Sequence, residues 1–161
     1  MMIGVEPWSS PEWVARARLL LRSFHRRLGR ELIQAPGSDL VVAETLFRAP
    51  FVVVAHGTEP DPLLNYANAM GLRLWEMDPD TLARTPSRLT AEPVHRDERA
   101  RLLERTLKNG FVDDYAGIRI SRTGRRFAIE RAVVWNLDDE SGRYCGQAAM
   151  FETWSPLGRV R

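Results

Sequence analysis

Three strand-like segments occupy the C-terminal third of the chain and constrain its fold more than any other feature. Residues 112–121 and 126–137 flank 122-RTG-124, where Gly124 easily accepts a positive φ, and residues 144–151 follow the turn 138-DDESG-142. Short turns join antiparallel neighbours, whereas parallel strands need a crossover of about a dozen residues or more. The pattern therefore predicts an antiparallel meander of three strands.

The second of these strands shows the clearest alternation. Its apolar residues recur at every second position with one interruption, at Arg131. Side chains two residues apart point to the same face of a strand. We therefore expect one shared face for Phe127, Ile129, Val133, Trp135 and Leu137.

Two further strands precede the meander. The run 51-FVVVAH-56 is β-branched and continuous, as in a central strand or one covered on both faces, and Leu63 to Tyr66 gives the next strand after a turn. Asn68 stands where this strand becomes a helix of about 67–75. Its side-chain amide can bond backbone groups left unpaired at that junction, so an architectural role is favoured over direct ligand contact.

An amphipathic helix is predicted over 11–32, with Ser10 as N-cap and Pro11 at the first helical position. Its apolar stripe needs a partner surface, which the rest of the domain or a second copy of the chain could supply. The candidates for a dimer interface are Trp13, Leu20, Phe24 and Leu28.

The remaining helices complete an α+β order. Asp39 can cap a short helix over 40–49, a loop-rich region runs from Asp78 to Asp97, and Asp97 can cap a helix over 97–110 whose buried stripe is Leu102, Leu103 and Leu107. Two strands, a helical crossover and three strands predict a five-stranded antiparallel sheet with helices on one face. We divide the chain into an N-terminal amphipathic helix and linker (1–39), a domain (40–152) and a C-terminal tail (153–161).

Composition excludes several classes of protein. The chain has 161 residues, a net charge of +2 from 23 basic and 21 acidic residues, and one cysteine, Cys145. So small an excess of positive charge does not indicate a nucleic-acid-binding surface. A single thiol can form neither an intramolecular disulfide nor a multi-thiolate metal site. No run approaches the roughly 18 apolar residues of a membrane span. We expect a cytoplasmic protein without nucleic-acid or membrane partners.

Several motifs resemble known sensor domains. The order of elements, 66-YAN-68 at the end of the second strand and the hairpin 121-SRTGRRF-127 resemble a PAS domain. More narrowly, four segments together resemble the PAS-related MEKHLA domain family, of the bacterial stand-alone type: 51-FVVVAHGTEPDPLLNYAN-68, 87-SRLTAEPVHRDERARLL-103, 110-GFVDDYAGIRISRTGRRF-127 and 133-VVWNLDDESGRYCGQAAMF-151. The resemblance implies a PAS-like fold and a sensory or protein-interaction module with no known reaction.

A PAS-like fold also implies a pocket between the inner face of the sheet and the helices. Ligand pockets are mostly apolar with a few convergent polar groups. Seven residues are the candidates for those groups: His56, Tyr66, Asn68, Arg88, Tyr115, Trp135 and Gln147.

No motif supports a particular cofactor, and the cofactor stays unknown. Some PAS sensors ligate haem iron through a histidine on the helix before the third strand, but His95 is expected about a turn ahead of that helix, and His25 is expected to be solvated. Light-sensing PAS domains use a reactive cysteine after the first helix, but the corresponding loop, 84-RTPSRLTAEP-93, has none, and Cys145 lies on the last strand. A non-covalent flavin stacked on Trp135 and Tyr115 stays open.

Enzyme signatures are weak, so catalysis is the less favoured class. The adjacent carboxylates Asp113 and Asp114 should point to opposite faces of a strand. The one catalytic arrangement that can be built is His56 as a general base oriented by either aspartate. We predict a non-enzymatic sensory, ligand-binding or protein-interaction module that dimerises, signals through its N-terminal helix and passes its signal to a separate effector protein. The alternatives are a small-substrate enzyme and a structural adaptor without a pocket.

Overall fold

The structure, a computed structural model, describes residues 6–159. It begins with a short 3-10 helix, Pro7–Ser9, and a second one, Ser87–Thr90, precedes the last helix. The α-helices are α1 Pro11–Leu28, α2 Asp39–Phe47, α3 Ala69–Trp75, α4 Pro79–Ala83 and α5 Pro93–Asn109. The strands are β1 Val52–His56, β2 Leu64–Ala67, β3 Phe111–Ile120, β4 Arg125–Asp138, β5 Tyr144–Phe151 and β6 Thr153–Arg159.

All strands join one antiparallel sheet in the order β2-β1-β5-β4-β3. Strand β6 also pairs with β4, and it continues the register of β5: Val133 pairs with Met150, and Glu130 pairs with Thr153. The two therefore act as one strand interrupted at Glu152. The predicted antiparallel meander and α+β class are confirmed, but residues 153–159 of the predicted tail form a strand. Residues 1–5 and 160–161 of the predicted terminal segments lie outside the described residues.

A bulge in β4 overturns the predicted alternation. Arg131 has a positive φ of 54° and Asp114, on the neighbouring strand, has a φ of 57°, where the β3–β4 register shifts. An extra residue in one strand reverses the facing of every residue beyond it. Phe127 and Ile129 consequently pack in a different hydrophobic cluster from Val133, Trp135 and Leu137.

Helices cover both faces of the sheet. On the face that we call inner, α3 and α5 pack through Trp75 and Leu102; on the outer face, α1 and α2 pack through residues such as Leu20 and Leu46. The β-branched run of β1 supplies both cores, since Val52 belongs to the inner cluster and Val53 to the outer one. The N-terminal extension is therefore part of the hydrophobic core.

Helix α1 begins as predicted and ends earlier. The Ser10 side chain accepts a hydrogen bond from the Trp13 N–H, and Gly29 ends the helix with a positive φ of 72°. Trp13, Leu20 and Phe24 are buried against the sheet, and the half-buried Leu28 packs on the same cluster. These residues, which the sequence proposed for a dimer interface, are covered by their own chain in this structure.

Other helix boundaries also differ from the predictions. Ser38, rather than Asp39, caps α2 by accepting from the Val41 N–H. Helix α5 begins at Pro93 instead of Asp97. Proline is tolerated at the first helical position because the N–H groups of the first turn have no partner within the helix. His95 therefore lies inside the first turn of α5, and Leu107 is 54% exposed while Thr106 is buried.

Candidate functional site

Asn68 caps α3 and ties three segments of backbone together. Its side-chain oxygen accepts from the N–H groups of Val53 (3.0 Å) and Gly71 (3.1 Å), and its amide nitrogen donates to the carbonyls of Phe51 (2.7 Å) and Leu46 (3.3 Å). The side chain is fully buried. Its polar atoms are therefore engaged by backbone, and the structure puts Asn68 in the architectural role.

A small cavity lies on the inner face of the sheet, beneath α5. Its volume is about 60 Å³, and most of its lining is apolar, including Leu102, Ile129 and Val134. Three of the seven candidate polar residues contribute to its wall: His56, Tyr115 and Gln147. Since a water needs roughly 10–15 Å³ of such space, the cavity suits a ligand of a few heavy atoms.

The other four candidates lie elsewhere. Tyr66 and Trp135 are buried in the outer-face core, where Tyr66 stacks on Trp13 and Trp135 donates from Nε1 to the Leu20 carbonyl. The reversal of side-chain facing at the Arg131 bulge explains Trp135, and Tyr66 faces outward because it pairs with Ala55, which belongs to the same outer-face cluster. Arg88 is exposed and forms an ion pair with Asp61 at 3.2 Å, and Asn68 is engaged as described above.

His56 presents a hydrogen-bond acceptor in the buried wall of the cavity. Its Nδ1 donates to the Gly57 carbonyl at 3.0 Å, since a carbonyl can only accept, and its buried Nε2 has no hydrogen-bond partner among the described residues. Burial lowers the pKa of His56 and the charge of Arg99 adds to this effect, and together they outweigh the opposite effects of the Gly57 carbonyl and the nearby Gln147 side chain. The ring is therefore neutral near pH 7, with a free lone pair on Nε2.

The predicted base-carboxylate pair does not form. The nearest partner of the His56 ring is the carbonyl of Gly57. Asp113 and Asp114 are both exposed on β3, where the positive φ of Asp114 breaks the regular alternation. The arrangement predicted for catalysis is therefore corrected: neither aspartate orients this histidine.

Gln147 joins the cavity wall to the neighbouring strand and to α5. Its amide nitrogen donates to the Leu103 carbonyl (2.9 Å) and to the Asn136 side-chain oxygen (3.1 Å). Asn136 in turn donates to the Leu107 carbonyl at 3.2 Å. Both side chains are buried. The pair fixes the C-terminal half of α5 on the sheet.

Two arginines in the cavity wall were missed from the sequence. Arg119 is 6% exposed and donates to the Tyr115 hydroxyl (3.2 Å), which itself donates to the Glu98 carboxylate (2.8 Å). Arg99 also lines the cavity, and burial first, then the like charge of Arg119, lowers its pKa to about 10.

The sequence did contain signals for these arginines. Arg99 stands three and four residues before Leu102 and Leu103, so it belongs to the apolar stripe of α5. Arg119 lies four residues after Tyr115 on the same strand and therefore faces the same side. Gly117 between them leaves space for the phenol, because a Cβ there would lie 2.4 Å from the Tyr115 hydroxyl oxygen.

The cofactors considered from the sequence do not fit the cavity as it stands. Pockets for cofactors and drug-sized ligands measure roughly 300–1,000 Å³, several times the volume found here. Trp135 cannot stack on a flavin in this cavity, because its ring contacts Phe24 on the outer face. His95 is not part of the wall, and Cys145 contacts the Arg143 carbonyl near the beginning of β5.

Outside the cavity, an open groove of about 660 Å³ runs between α3 and the β4–β6 pair. Its floor is apolar, with Met70, Phe127 and Trp154, and its rim carries Arg73 and Arg125. Within residues 6–159, no group of three or more His, Cys, Asp or Glu side chains is arranged to hold a metal ion. No helix in the same range has the length and apolar character needed to cross a membrane.

Comparison with known proteins assigns the family. The model of the MEKHLA domain matches residues 14–156, which include most of α1 and the beginning of β6. The chain belongs to the MEKHLA domain family. The family match thus crosses both predicted domain boundaries, as does the packing of α1 and β6 onto the sheet.

The curated relatives of this MEKHLA protein include plant homeobox-leucine zipper proteins. It is 29% identical over 158 residues to REVOLUTA of Arabidopsis thaliana, which covers 91% of this chain and 18% of that protein. It is 25% identical over 146 residues to HOX9 of Oryza sativa subsp. indica, covering 90% of this chain and 17% of that protein. The chain therefore spans about a fifth of the length of these relatives.

Solved structures identify the fold as PAS-like. A PAS domain from Colwellia psychrerythraea superposes with a TM-score of 0.57 at 12% identity, over 72% of this chain and 93% of that one. The light-state dimer of the fungal blue-light photoreceptor Vivid gives a TM-score of 0.55 at 12% identity, over 81% of this chain and 88% of that one. These identities support a common fold, and the predicted PAS-like architecture is confirmed.

Proposed function

We propose that this chain is a non-enzymatic sensory module that binds a small molecule in the inner-face cavity and transmits its occupancy to helix α1. The observation that carries the proposal is the unpartnered, buried Nε2 of His56 in the wall of a cavity whose lining is mostly apolar. Buried polar atoms normally have a hydrogen-bond partner, so such an atom marks a place where a ligand or water would bind.

A continuous set of contacts supports transmission from the cavity to α1. Gln147, in the cavity wall, is hydrogen-bonded to Asn136 on β4. The residues on either side of Asn136 reach the outer face, where Trp135 donates to the Leu20 carbonyl of α1 at 3.3 Å. One strand thus contacts both the cavity and the N-terminal helix.

The end of α1 is anchored to the same strand. The Asp138 N–H donates to the Ser23 hydroxyl at 3.0 Å, and the Asp138 carboxylate pairs with Arg27. These contacts join the C-terminal half of α1 to the end of β4. A shift of β4 would therefore be felt directly by the helix, which is the output element of the proposal.

Homodimerisation and a separate effector protein remain part of the proposal. The light-state dimer of Vivid shows that a protein with this fold can associate, but that assembly belongs to Vivid. Because the stripe of α1 is used within the chain, a dimer would need another surface or a released α1. Native mass measured with and without ligand distinguishes these cases. The bacterial stand-alone type and the cytoplasmic location also remain predictions.

A cavity-filling variant tests the central claim. Ala149 lines the cavity, so Ala149→Ile should occupy part of its volume, whereas Ala15→Ile adds the same atoms on the exposed face of α1. We expect small compounds found by a thermal-shift screen to raise the melting temperature of the wild type and of Ala15→Ile only. Equal shifts in the Ala149→Ile protein, or no binding by any small compound, would overturn the proposal.

A further inference from the structure

The charges around the cavity do not balance. Arg99 and Arg119 both line it, and the carboxylate linked to this group is Glu98, which is bonded to the Tyr115 hydroxyl. The Arg119 guanidinium donates hydrogen bonds to the Ile118 carbonyl (2.8 Å) and to the Tyr115 hydroxyl (3.2 Å). Arg119, Tyr115 and Glu98 thus form one neutral chain of hydrogen bonds.

Arg99 is left outside that chain. Among residues 6–159 it has no hydrogen-bond partner and no carboxylate at ion-pairing distance. Its side chain is half-buried in the wall, next to Leu102 and Leu103 on α5. A partly desolvated guanidinium beside a second one attracts an anion strongly, and its planar donors match the two oxygens of a carboxylate.

The polar groups of the cavity therefore define which groups a ligand must carry. Arg99 supplies hydrogen-bond donors and one positive charge, while the neutral His56 supplies an acceptor at Nε2. The volume of about 60 Å³ allows only a few heavy atoms. A matching ligand carries one carboxylate, one hydroxyl and a short carbon skeleton.

We propose that the cavity binds a short-chain hydroxycarboxylate, whose carboxylate pairs with Arg99 and whose hydroxyl donates to His56 Nε2. This inference rests on the proposed function, because it names the ligand class of the same cavity. The apolar wall from Leu102, Ile129 and Val134 accommodates the carbon skeleton. Arg119 holds Tyr115 in place through its hydrogen bond to the phenol.

Three compounds of similar size test the contributions of the carboxylate and the hydroxyl separately. Lactate carries both groups, propionate lacks the hydroxyl, and 1,2-propanediol lacks the charge. Binding is measured by isothermal titration and by thermal shift at constant ionic strength. We expect lactate to bind at least tenfold more tightly than propionate, since one lost buried hydrogen bond with a desolvated acceptor is worth about a factor of ten. We expect no measurable binding of 1,2-propanediol.

Variants on α5 test the role of Arg99. Arg99→Gln should abolish lactate binding, whereas Arg101→Gln, on the exposed side of the same helix, should leave it unchanged. Arg99→Lys keeps the charge and should retain weakened binding. His56→Ala, with its fold checked by circular dichroism, should bind lactate and propionate equally.

The outcomes separate this inference from the proposed function. If 1,2-propanediol binds as tightly as lactate and Arg99→Gln has no effect, the anion inference fails while the cavity remains a ligand site. If none of the three compounds binds the wild-type protein, the hydroxycarboxylate inference is also overturned. The proposed function itself fails if no small compound binds the wild type, or if compounds that bind shift the melting temperature of the Ala149→Ile protein equally.

Discussion

Asn68→Ala should be among the most damaging polar substitutions in this chain. The Asn68 side chain makes four hydrogen bonds to backbone groups of α2, β1, α3 and the segment between α2 and β1. Alanine would leave the Val53 and Gly71 N–H groups without this acceptor. The Phe51 and Leu46 carbonyls would lose this donor in the same fully buried place.

The expected magnitude follows from these four groups. A buried polar group that loses its partner costs about 1–3 kcal/mol, and a carbonyl costs less than an N–H because its second lone pair can find another donor. The contributions are not additive where groups share a site. We therefore expect a loss of about 3–5 kcal/mol, a large share of the roughly 5–15 kcal/mol that stabilises a domain.

Urea denaturation followed by far-ultraviolet circular dichroism measures this loss. Asn109→Ala, at the exposed end of α5, is the matched control and should change the unfolding free energy by about 0.5 kcal/mol or less. A loss below about 1 kcal/mol for Asn68→Ala would refute the reasoning, because the buried backbone would then be satisfied without this side chain.

Asn68→Asp separates the donor from the acceptor role. Aspartate keeps an oxygen for the Val53 and Gly71 N–H groups but turns the amide donor into an acceptor facing the Phe51 and Leu46 carbonyls. Burial next to carbonyls favours the protonated acid, which again has a donor. The difference in unfolding free energy between the wild type and Asn68→Asp should therefore become smaller as the pH falls. A difference that does not change with pH would contradict this account.

Further predictions concern other parts of the fold. Gly146→Ala should lower the free energy of unfolding by at least about 2 kcal/mol more than Gly142→Ala. Both glycines have a positive φ, but only at Gly146 would a Cβ meet backbone, 2.0 Å from the His56 carbonyl oxygen. Equal losses of unfolding free energy in urea titrations would contradict this. Leu20→Asp should lower the free energy of unfolding by about 4 kcal/mol or more and unfold the monomer, whereas Ala15→Asp should not. If native mass and circular dichroism instead show a folded Leu20→Asp monomer, the predicted dimer interface on α1 would be supported. Because burial lowers the pKa of His56, its neutral form is favoured by folding and stability should fall as the pH drops below about 6.5; His56→Gln should remove that part of the decline, and His25→Gln, on the exposed face of α1, should not.

Local patterns predicted most of the elements because the chemistry behind them is local. Ser10 before Pro11 set the start of α1, Asn68 marked the strand-to-helix junction, and the β-branched run of β1 indicated burial on both faces. The boundary of α5 was missed because Asp97 looked like a cap, although Pro93 already begins the helix.

The composition of the cavity wall was harder to predict. His56, Tyr115 and Gln147 were named because a PAS-like fold implies a pocket on the inner face of the sheet. Trp135 was misplaced because the bulge at Arg131 reverses side-chain facing, and Tyr66 was misplaced because it pairs with Ala55 of the outer-face core. A bulge depends on how two strands pair, so the sequence of a single strand does not reveal it. The arginines were missed because a charged residue in a chain rich in arginine is usually solvated.

The bulge at Arg131 also gives β4 its place in the proposed mechanism. A regular strand presents one set of alternating side chains to each face along its whole length. Here the reversal lets Ile129 line the inner cavity while Trp135, an even number of residues later, packs on α1. The residues next to the cavity and those that hold the N-terminal helix therefore belong to one strand, joined through a residue with a positive φ of 54°. Under the proposed function, a ligand that changes the twist of β4 at this residue would alter both packing surfaces at once, and α1 would respond without any contact to the ligand.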